Sequence, residues 1–160
     1  MKRKILWVDD GAFSDLIDAV GPLYASGDYN LVVAPDASQG FRYLMEKEFD
    51  AVIMDIRLPP GKDSYFVNIY NVSGESKIAA RLGMAVMERV LKPSGEAIPD
   101  WVEAERFGVL TVESSVEVRA ELDSLGVKVY RQKTARTPRD ILINIAEEIM
   151  EASRRKRGAR

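Results

Sequence analysis

Four charged side chains have the types and positions that could form a catalytic or metal-binding site: the carboxylates of Asp9, Asp10 and Asp55 and the ammonium of Lys133. Each lies at the end of a short apolar run or a few residues beyond it. If the three carboxylates meet, each pair about 5 Å apart repels by roughly 3 kcal/mol at an effective dielectric of about 20. A divalent cation and one lysine would cancel the three charges, and oxygen ligands favour Mg²⁺. These residues therefore predict a magnesium site, with helix capping by Asp9 or Asp10 as the alternative.

The composition excludes several kinds of catalytic and metal-binding site. The 160 residues include no cysteine and no histidine, and 23 basic and 25 acidic side chains give a formal net charge of −2. A thiol nucleophile, a disulfide framework, a thiolate zinc site and an imidazole base are therefore excluded. The length is that of one domain. Because the apolar stretches are too short to span a membrane, we expect a cytoplasmic protein.

Five short apolar runs, most without polar alternation, are typical of strands buried on both faces of a parallel sheet. The predicted strands are residues 5–8, 31–33, 51–54, 109–112 and 127–130. Right-handed crossovers through intervening helices then give an α/β fold, a doubly wound five-stranded parallel sheet in the order 2-1-3-4-5. Because functional groups gather at the carboxyl ends of such strands, Asp9, Asp10, Asp55 and Lys133 are expected to meet in one crevice.

Stripes of apolar residues predict the helices between these strands. The first stripe includes Phe13, Ile17 and Val20 and is expected to end or kink near Gly21-Pro22. The third consists of Ile78, Leu82, Val86 and Val90.

The connection between the third and fourth strands is longer than one crossover helix needs. It enlarges a single domain of residues 1–153 by two inserted segments, residues 62–76 and 94–107. The first segment carries four large apolar side chains: Tyr65, Phe66, Ile69 and Tyr70. We expect it to form either a lid or partner surface near the site, or an extra hairpin or loop packed on the domain edge.

The last seven residues, 154–160, carry five basic side chains and no acid. This pattern is typical of a frayed helix end, where cations interact favourably with the helix dipole. The alternative is a basic C-terminal tail that contacts nucleic acid or an acidic partner.

Three motifs resemble those of a known family. Lys4 to Asp10 reads KILWVDD, Val52 to Pro59 reads VIMDIRLP, and Tyr130 to Lys133 reads YRQK. In this order and spacing they resemble the receiver domain of two-component response regulators, whose fold is flavodoxin-like (CheY-like). The resemblance covers nearly the whole chain.

The resemblance implies a role for each residue. Asp55 would accept a phosphoryl group from a histidine kinase or a phosphotransfer protein, and Lys133 would contact that group. Asp9, Asp10, Asp55 and the backbone carbonyl of Arg57 would hold Mg²⁺. The protein would be a phosphoacceptor with self-phosphotransfer and autodephosphorylation activity rather than a turnover enzyme. Without histidine of its own, it would depend on a partner or a small acyl phosphate for the group.

Two residues, one at the end of the fifth predicted strand and one beyond it, bear on the loop around Lys133. The family usually has a proline after the lysine, joined by a cis peptide, whereas this chain has Thr134. Because a cis bond before a non-proline residue costs about 3 kcal/mol, we expect a trans bond. Tyr130 matches the family's aromatic switch position, and its alternative role is a core residue.

The family's hydroxyl at the end of the fourth strand has three candidate positions here. Counting along the apolar run places it on Glu113, which would repel a phosphoryl group. A shift of one residue gives Ser114, and counting back from Lys133 gives Thr111. Ser114 is the predicted residue, and its alternative role is an N-cap that forms a capping box with Glu117.

These observations predict a stand-alone response regulator receiver that signals through contacts with a downstream protein. Because the chain ends about twenty residues after the fifth predicted helix begins, we expect no output domain. Glu113 and Thr134 favour an alternative, a degenerate receiver that binds partners without phosphorylation. An enzyme of the same fold is a third hypothesis, but the acid spacing of a haloacid-dehalogenase-like phosphatase and the phosphate loop of a flavodoxin-like protein are missing.

Overall fold

The computed structural model describes residues 1–14, 16–73 and 80–159. Five parallel strands form one sheet in the order β2-β1-β3-β4-β5. They are β1 (Arg3–Val8), β2 (Tyr29–Ala34), β3 (Ala51–Met54), β4 (Phe107–Thr111) and β5 (Val129–Gln132). The predicted α/β class and strand order are confirmed.

Helices cover both faces of the sheet. They are α1 (Gly21–Ser26), α2 (Ala37–Glu46), α3 (Ser64–Val72), α4 (Leu82–Leu91), α5 (Val116–Leu125) and α6 (Ile141–Gly158). Leu6 and Val8 of β1 face the core under α2 to α5, whereas Ile5 and Trp7 face the core under α1 and α6. All four side chains are fully buried, and each is worth about 1.5–3 kcal/mol of burial free energy. The first strand therefore anchors both layers.

The first helix differs from the sequence prediction. Turns and a short 3-10 helix (Ile17–Ala19) follow β1, and α1 begins only at Gly21 with Pro22 in its first turn. Proline fits the first turn because its φ is already helical and its missing N–H has no partner there. Gly21-Pro22 therefore begins a helix instead of ending one, and Phe13 and Ile17 stay 67% and 56% exposed.

The inserted segment after Gly61 contains α3, so the expected hairpin or loop is wrong. Phe66 of α3 is fully buried and packs edge-on against Phe41 of α2, with ring centroids 5.9 Å apart. Arg89 of α4 lies over the ring of Phe41 at 3.7 Å and over that of Tyr65 at 4.2 Å. These contacts make α3 part of the main core. Residues 74–76 of the segment and Ile78, predicted for the third helix, lie outside the described residues.

The second inserted segment, residues 94–107, contains a 3-10 helix (Ala104–Arg106) that leads into β4 at Phe107. Trp101 packs edge-on against Phe49 with centroids 6.0 Å apart.

Within the described ranges, no helix has the length and apolar character needed to cross a membrane.

The basic residues at the end of the chain extend a helix. α6 continues through Gly158, so residues 154–158 are helical and do not form a separate tail. Arg155 pairs with Glu151 one turn earlier at 2.5 Å, and Lys156 pairs with Glu105 at 2.8 Å.

Candidate functional site

Hydrogen bonds between neighbouring strands bring Asp9 and Asp55 together. Val8 lies opposite Met54 in the register of β1 and β3, and each aspartate directly follows one of these residues. The backbone N–H of Asp55 donates to the carbonyl of Val8 at 2.9 Å, and that of Asp9 donates to Ala34 of β2 at 2.9 Å. The carboxyl end of the sheet thus places both side chains at one edge, as the strand order predicts.

The three carboxylates form a cluster. Asp9, Asp10 and Asp55 each offer an oxygen, and these oxygens lie within 4.8 Å of one another. Asp9 and Asp55 are buried, whereas Asp10 is exposed. The N–H of Gly11 donates to Asp9 Oδ1 at 2.8 Å, which fixes that carboxylate. The predicted convergence of the acids is confirmed in its geometry.

Lys133 joins the cluster from β5. Its Nζ lies 2.6 Å from Asp9 Oδ2 and 2.7 Å from Asp55 Oδ2. The ammonium donates a hydrogen bond to Asp55 Oδ2 and forms a close ion pair with Asp9 Oδ2. The backbone N–H of Lys133 donates to Thr111 of β4 at 2.7 Å. The Lys133–Thr134 peptide is trans, as expected for a non-proline residue.

Burial and charge shift the protonation of this cluster. Desolvation raises the pKa of Asp9 from 3.8 to about 6, and the charge of Asp55 adds to the rise, although Lys133 opposes it. Burial alone would lower the pKa of the Lys133 ammonium, but Asp55 and Asp9 together raise it above its ordinary value. Three carboxylates beside one ammonium leave two uncompensated negative charges at neutral pH.

The raised pKa of Asp9 predicts a pH-dependent stability in metal-free buffer. The folded chain binds more protons than the unfolded chain between about pH 4 and pH 6. The free energy of unfolding is therefore expected to fall as the pH rises through this window, by about 3 kcal/mol in all, and to change little from this source above it. Urea unfolding in EDTA at several pH values measures this, with Asp9→Asn as the reference that lacks the titrating group. Parallel curves for the two proteins would contradict the prediction.

The cluster opens into a cavity of about 510 Å³. Its lining residues are Asp9, Asp10, Gly11, Leu16, Asp55, Arg57, Val112, Lys133, Thr134 and Ala135. Arg57, predicted as a backbone ligand, lies at the rim, and its N–H donates to Asp55 Oδ1 at 3.4 Å.

Glu113 lies beside the cavity, but its charge is compensated. Its two carboxylate oxygens accept from Arg57 Nε at 2.6 Å and from Arg81 Nε at 3.0 Å. The glutamate is 7% exposed, so two guanidinium groups neutralise a buried charge that would otherwise repel an anion in the site. The sequence flagged Glu113 as an obstacle, but it did not reveal these partners.

Replacing Glu113 by alanine is expected to lower the free energy of unfolding by about 1–2 kcal/mol. Removing one partner of a buried pair costs more than this, but Arg57 and Arg81 are partly exposed and recover hydration. Glu117→Ala is the matched control, because Glu117 is 81% exposed and lies 4.0 Å from the same Arg81. Urea denaturation compares the two variants, and equal losses would show that Glu113 has no special role.

The predicted hydroxyl residue Ser114 and the predicted switch residue Tyr130 lie together, and the alternative hydroxyl Thr111 lies elsewhere. Ser114 is exposed and lines a separate cavity with Tyr130, and the N-cap of α5 is Ser115 instead. Thr111, the alternative counted back from Lys133, is fully buried at the last position of β4. Tyr130 is half-buried, and its hydroxyl donates to the backbone carbonyl of Glu113.

A glycine that the sequence analysis did not single out supports the Asp55 loop. The N–H of Gly83, in the first turn of α4, donates to the carbonyl of Ile56 at 2.8 Å. A Cβ on Gly83 would lie 1.8 Å from the backbone oxygen of Asp55. Only glycine allows α4 to approach this closely, and a lone glycine inside an apolar helical stripe is the signal that could have revealed it.

The donor set suits a hard divalent cation. Three carboxylates supply oxygen ligands that lie within 4.8 Å of one another, and Lys133 is the one ammonium that pairs with them among the described residues. One exposed acid at the cavity mouth leaves room for water, which Mg²⁺ commonly retains as ligands. The described residues therefore fit the predicted metal in charge and ligand type.

No protein-family model matches the chain, and no curated protein matches it either. Solved structures do match. A response regulator receiver domain protein (CheY-like) from Methanospirillum hungatei JF-1 is 20% identical with a TM-score of 0.64, covering 97% of this chain and 99% of that one. The Francisella response regulator 1452 receiver domain is 16% identical with a TM-score of 0.62, covering 95% and 99%.

A third structure carries a modified aspartate. It is a response regulator protein from Burkholderia pseudomallei with a phosphorylated aspartic acid, a calcium ion and citrate. It is 16% identical with a TM-score of 0.59, and the match covers 99% of this chain and 73% of that one. The chain therefore has the fold of response regulator receiver domains, and the resemblance predicted from its motifs is confirmed at that level.

Proposed function

We propose that this protein is a Mg²⁺-dependent phosphoacceptor switch of two-component signal transduction, with Asp55 as the residue that accepts the phosphoryl group. The observation that carries the proposal is the position of Lys133 Nζ, 2.7 Å from Asp55 and 2.6 Å from Asp9. An ammonium held there can receive the negative charge that a phosphoryl oxygen brings. Asp55 lines an open cavity, so a donor can reach its carboxylate.

Phosphoryl transfer to a carboxylate depends mostly on positioning and electrostatics. The attacking oxygen of Asp55 forms a bond to phosphorus while the bond from phosphorus to the donor's leaving atom breaks. Lys133 and the N–H of Arg57 hold the carboxylate in a fixed orientation. Asp9, Asp10, Asp55 and the Arg57 carbonyl are the proposed ligands of Mg²⁺, which when bound would shield the incoming negative charge.

Thr111 is the better candidate for the hydroxyl that contacts the phosphoryl group, in place of Ser114. Its carbonyl accepts from the Lys133 backbone, and its side chain is buried at the carboxyl end of β4. Tyr130 contacts Glu113, two residues beyond Thr111, so a movement of this loop would reach the surface near Ser114. We assign Tyr130 the role of switch on this basis.

The partners follow from the chemistry. With no histidine in the chain, a histidine kinase or a phosphotransfer protein would supply the group, and the signal would leave through contacts with a downstream protein. This role would place the protein in the cytoplasm.

The degenerate-receiver alternative loses its two supports. Arg57 and Arg81 compensate Glu113, and Lys133 reaches both aspartates although Thr134 replaces the usual proline. Intact-mass measurement after incubation with acetyl phosphate separates the two functions. A gain of one phosphoryl group that requires Mg²⁺ and disappears in EDTA supports the switch, and an unchanged mass in both buffers supports the binding module.

Replacing Asp10 by alanine is expected to abolish measurable Mg²⁺ binding. The substitution removes one of three carboxylates and half of the uncompensated charge, while the exposed position of Asp10 leaves the fold intact. Isothermal titration with Mg²⁺ measures the loss. Asp18→Ala, at an exposed acid outside the cluster, is the control, and wild-type affinity in Asp10→Ala would remove Asp10 from the proposed ligands.

A further inference from the structure

A small cavity lined by arginines lies at the opposite end of the sheet from the acidic cluster. Its volume is about 160 Å³, and it is lined by Arg3, Asp50, Arg106, Met150, Arg154 and Arg157. Arg3 begins β1, whereas Asp9 follows its last residue, so about 20 Å of strand separates the two sites. This cavity plays no part in the proposed phosphoryl chemistry.

Three of the four arginines form only weak contacts. Arg3 Nη1 lies 3.6 Å from the sulfur of Met150, and Arg154 Nε lies 3.4 Å from the Met150 carbonyl. Arg157 Nε lies 3.4 Å from the Ser153 carbonyl. Guanidinium groups that meet anions form bonds of about 2.7–2.9 Å. None of the three forms an ion pair with a carboxylate in the described part of the chain.

The fourth arginine also has spare donors. Arg106 Nη1 donates to Glu48 at 3.1 Å and to the carbonyl of Phe49 at 2.9 Å. Its buried Nε has no hydrogen-bond partner among the described residues, and the nearest Glu103 oxygen is 3.7 Å away. Asp50, the acid of the lining, already accepts the N–H of Lys4 at 2.8 Å.

The charge balance at this cavity favours an anion. Four arginines meet Asp50 in the lining and Glu48 and Glu103 around Arg106, so a positive charge remains after all three acids are counted. By contrast, Arg155 and Lys156, which do not line the cavity, are paired with Glu151, Glu103 and Glu105. The unpaired basic residues converge on one small cavity and do not form an extended stripe.

We propose that this cavity binds a phosphate group, either inorganic phosphate or the phosphate of a small phosphomonoester. Arginine forks match the several oxygens of phosphate bidentately, and the negative charge of phosphate would offset the positive charge that remains at the cavity. The volume holds one such group with a few waters and excludes a helix or a strand. A long polyanion such as nucleic acid would need a basic track, which the pairing of Arg155 and Lys156 interrupts.

The test is isothermal titration of the full chain with inorganic phosphate in EDTA, at constant ionic strength set with chloride. EDTA leaves the acidic cluster without a cation, so that site repels phosphate. We expect saturable binding that weakens at least tenfold in the Arg154→Gln/Arg157→Gln variant. Arg155→Gln, which removes the same charge from a paired position of α6, should bind as the wild type does. Both variants change exposed side chains, and circular dichroism checks that they fold.

Two further measurements distinguish free phosphate from a phosphomonoester, and the arginine cavity from the acidic cluster. Glycerol phosphate binding tighter than inorganic phosphate would identify a phosphomonoester as the ligand, and the reverse would identify the free ion. Asp55→Asn should bind phosphate unchanged, which keeps this site independent of the phosphoacceptor function. No saturable phosphate binding, equal weakening in Arg155→Gln, loss in Asp55→Asn, or binding of duplex DNA alone would each overturn the proposal.

Discussion

The Asp55→Asn variant is expected to gain no phosphoryl group under conditions in which the wild type gains one. Asparagine keeps the size and shape of the side chain but replaces the anionic oxygen that would attack phosphorus. Lys133 Nζ, 2.7 Å from Asp55 Oδ2, would lose one of its two carboxylates and keep Asp9. Intact-mass measurement with acetyl phosphate and Mg²⁺ should therefore show a complete loss of the gain, with circular dichroism confirming the fold.

Asp100→Asn is the matched control for this experiment, because Asp100 is exposed and lies outside the acidic cluster. It should be phosphorylated as the wild type is. A phosphoryl gain that persists in Asp55→Asn would place the acceptor on another residue. The neighbouring Asp9 is the first residue to examine in that case, since it shares the same lysine.

The Gly83→Ala variant is expected to be the most destabilising single substitution near the site. The added Cβ would lie 1.8 Å from the carbonyl oxygen of Asp55 and 2.9 Å from the Cα of Ile56, and both are backbone atoms. Backbone yields less readily than a flexible side chain, so either α4 or the Asp55 loop must move. We expect the free energy of unfolding to fall by about 3 kcal/mol or more, which lowers the Tm by about 6–12 °C.

Gly158→Ala, in the last turn of α6, makes the same chemical change where no atom outside the neighbouring backbone lies within 4 Å of the added Cβ. That variant should keep or slightly raise the wild-type Tm, because alanine is the better helix former. Phosphorylation provides a second measurement, since displacement of Asp55 should slow the mass gain of Gly83→Ala at temperatures where it remains folded. A Tm within about 1 °C of the wild type would show that the close approach carries no strain.

The strand order was predictable because five short apolar runs alternate with helical stripes, a pattern typical of a doubly wound parallel sheet. The exact ends of the strands were not predictable. The run 109–112 suggested a fourth strand that ends at Val112, but β4 begins at Phe107 and ends at Thr111. Gly108 hid the true start, since glycine is a poor strand former, and here it lets Ile149 of α6 approach closely. The strand ends one residue earlier than the apolar run, so counting from Val112 was unreliable, and Thr111, the last residue of β4, is the position that we propose for the hydroxyl.

The acidic cluster was predictable because its members directly follow the strands that position them. Its surroundings were not, because they depend on contacts between distant loops. Arg81 reaches Glu113 across 32 residues and Arg57 reaches it across 56, and no local pattern relates these positions. Helix α1 was predicted from apolar periodicity, but the turns after β1 and the proline in its first turn delayed its start to Gly21.

The helix inserted after Gly61 has become inseparable from the rest of the domain. Phe66 fills a space against Phe41, and the guanidinium of Arg89 lies between the rings of α2 and α3 while its far side meets Glu96 at 2.8 Å. Deleting α3 would leave a void of the size of the Phe66 ring. It would also disrupt the stacking of the Arg89 guanidinium on the surrounding aromatic rings. A variant without α3 would need new residues at positions 41 and 89. The inserted helix and these two residues of α2 and α4 are therefore expected to change together as the sequence diverges.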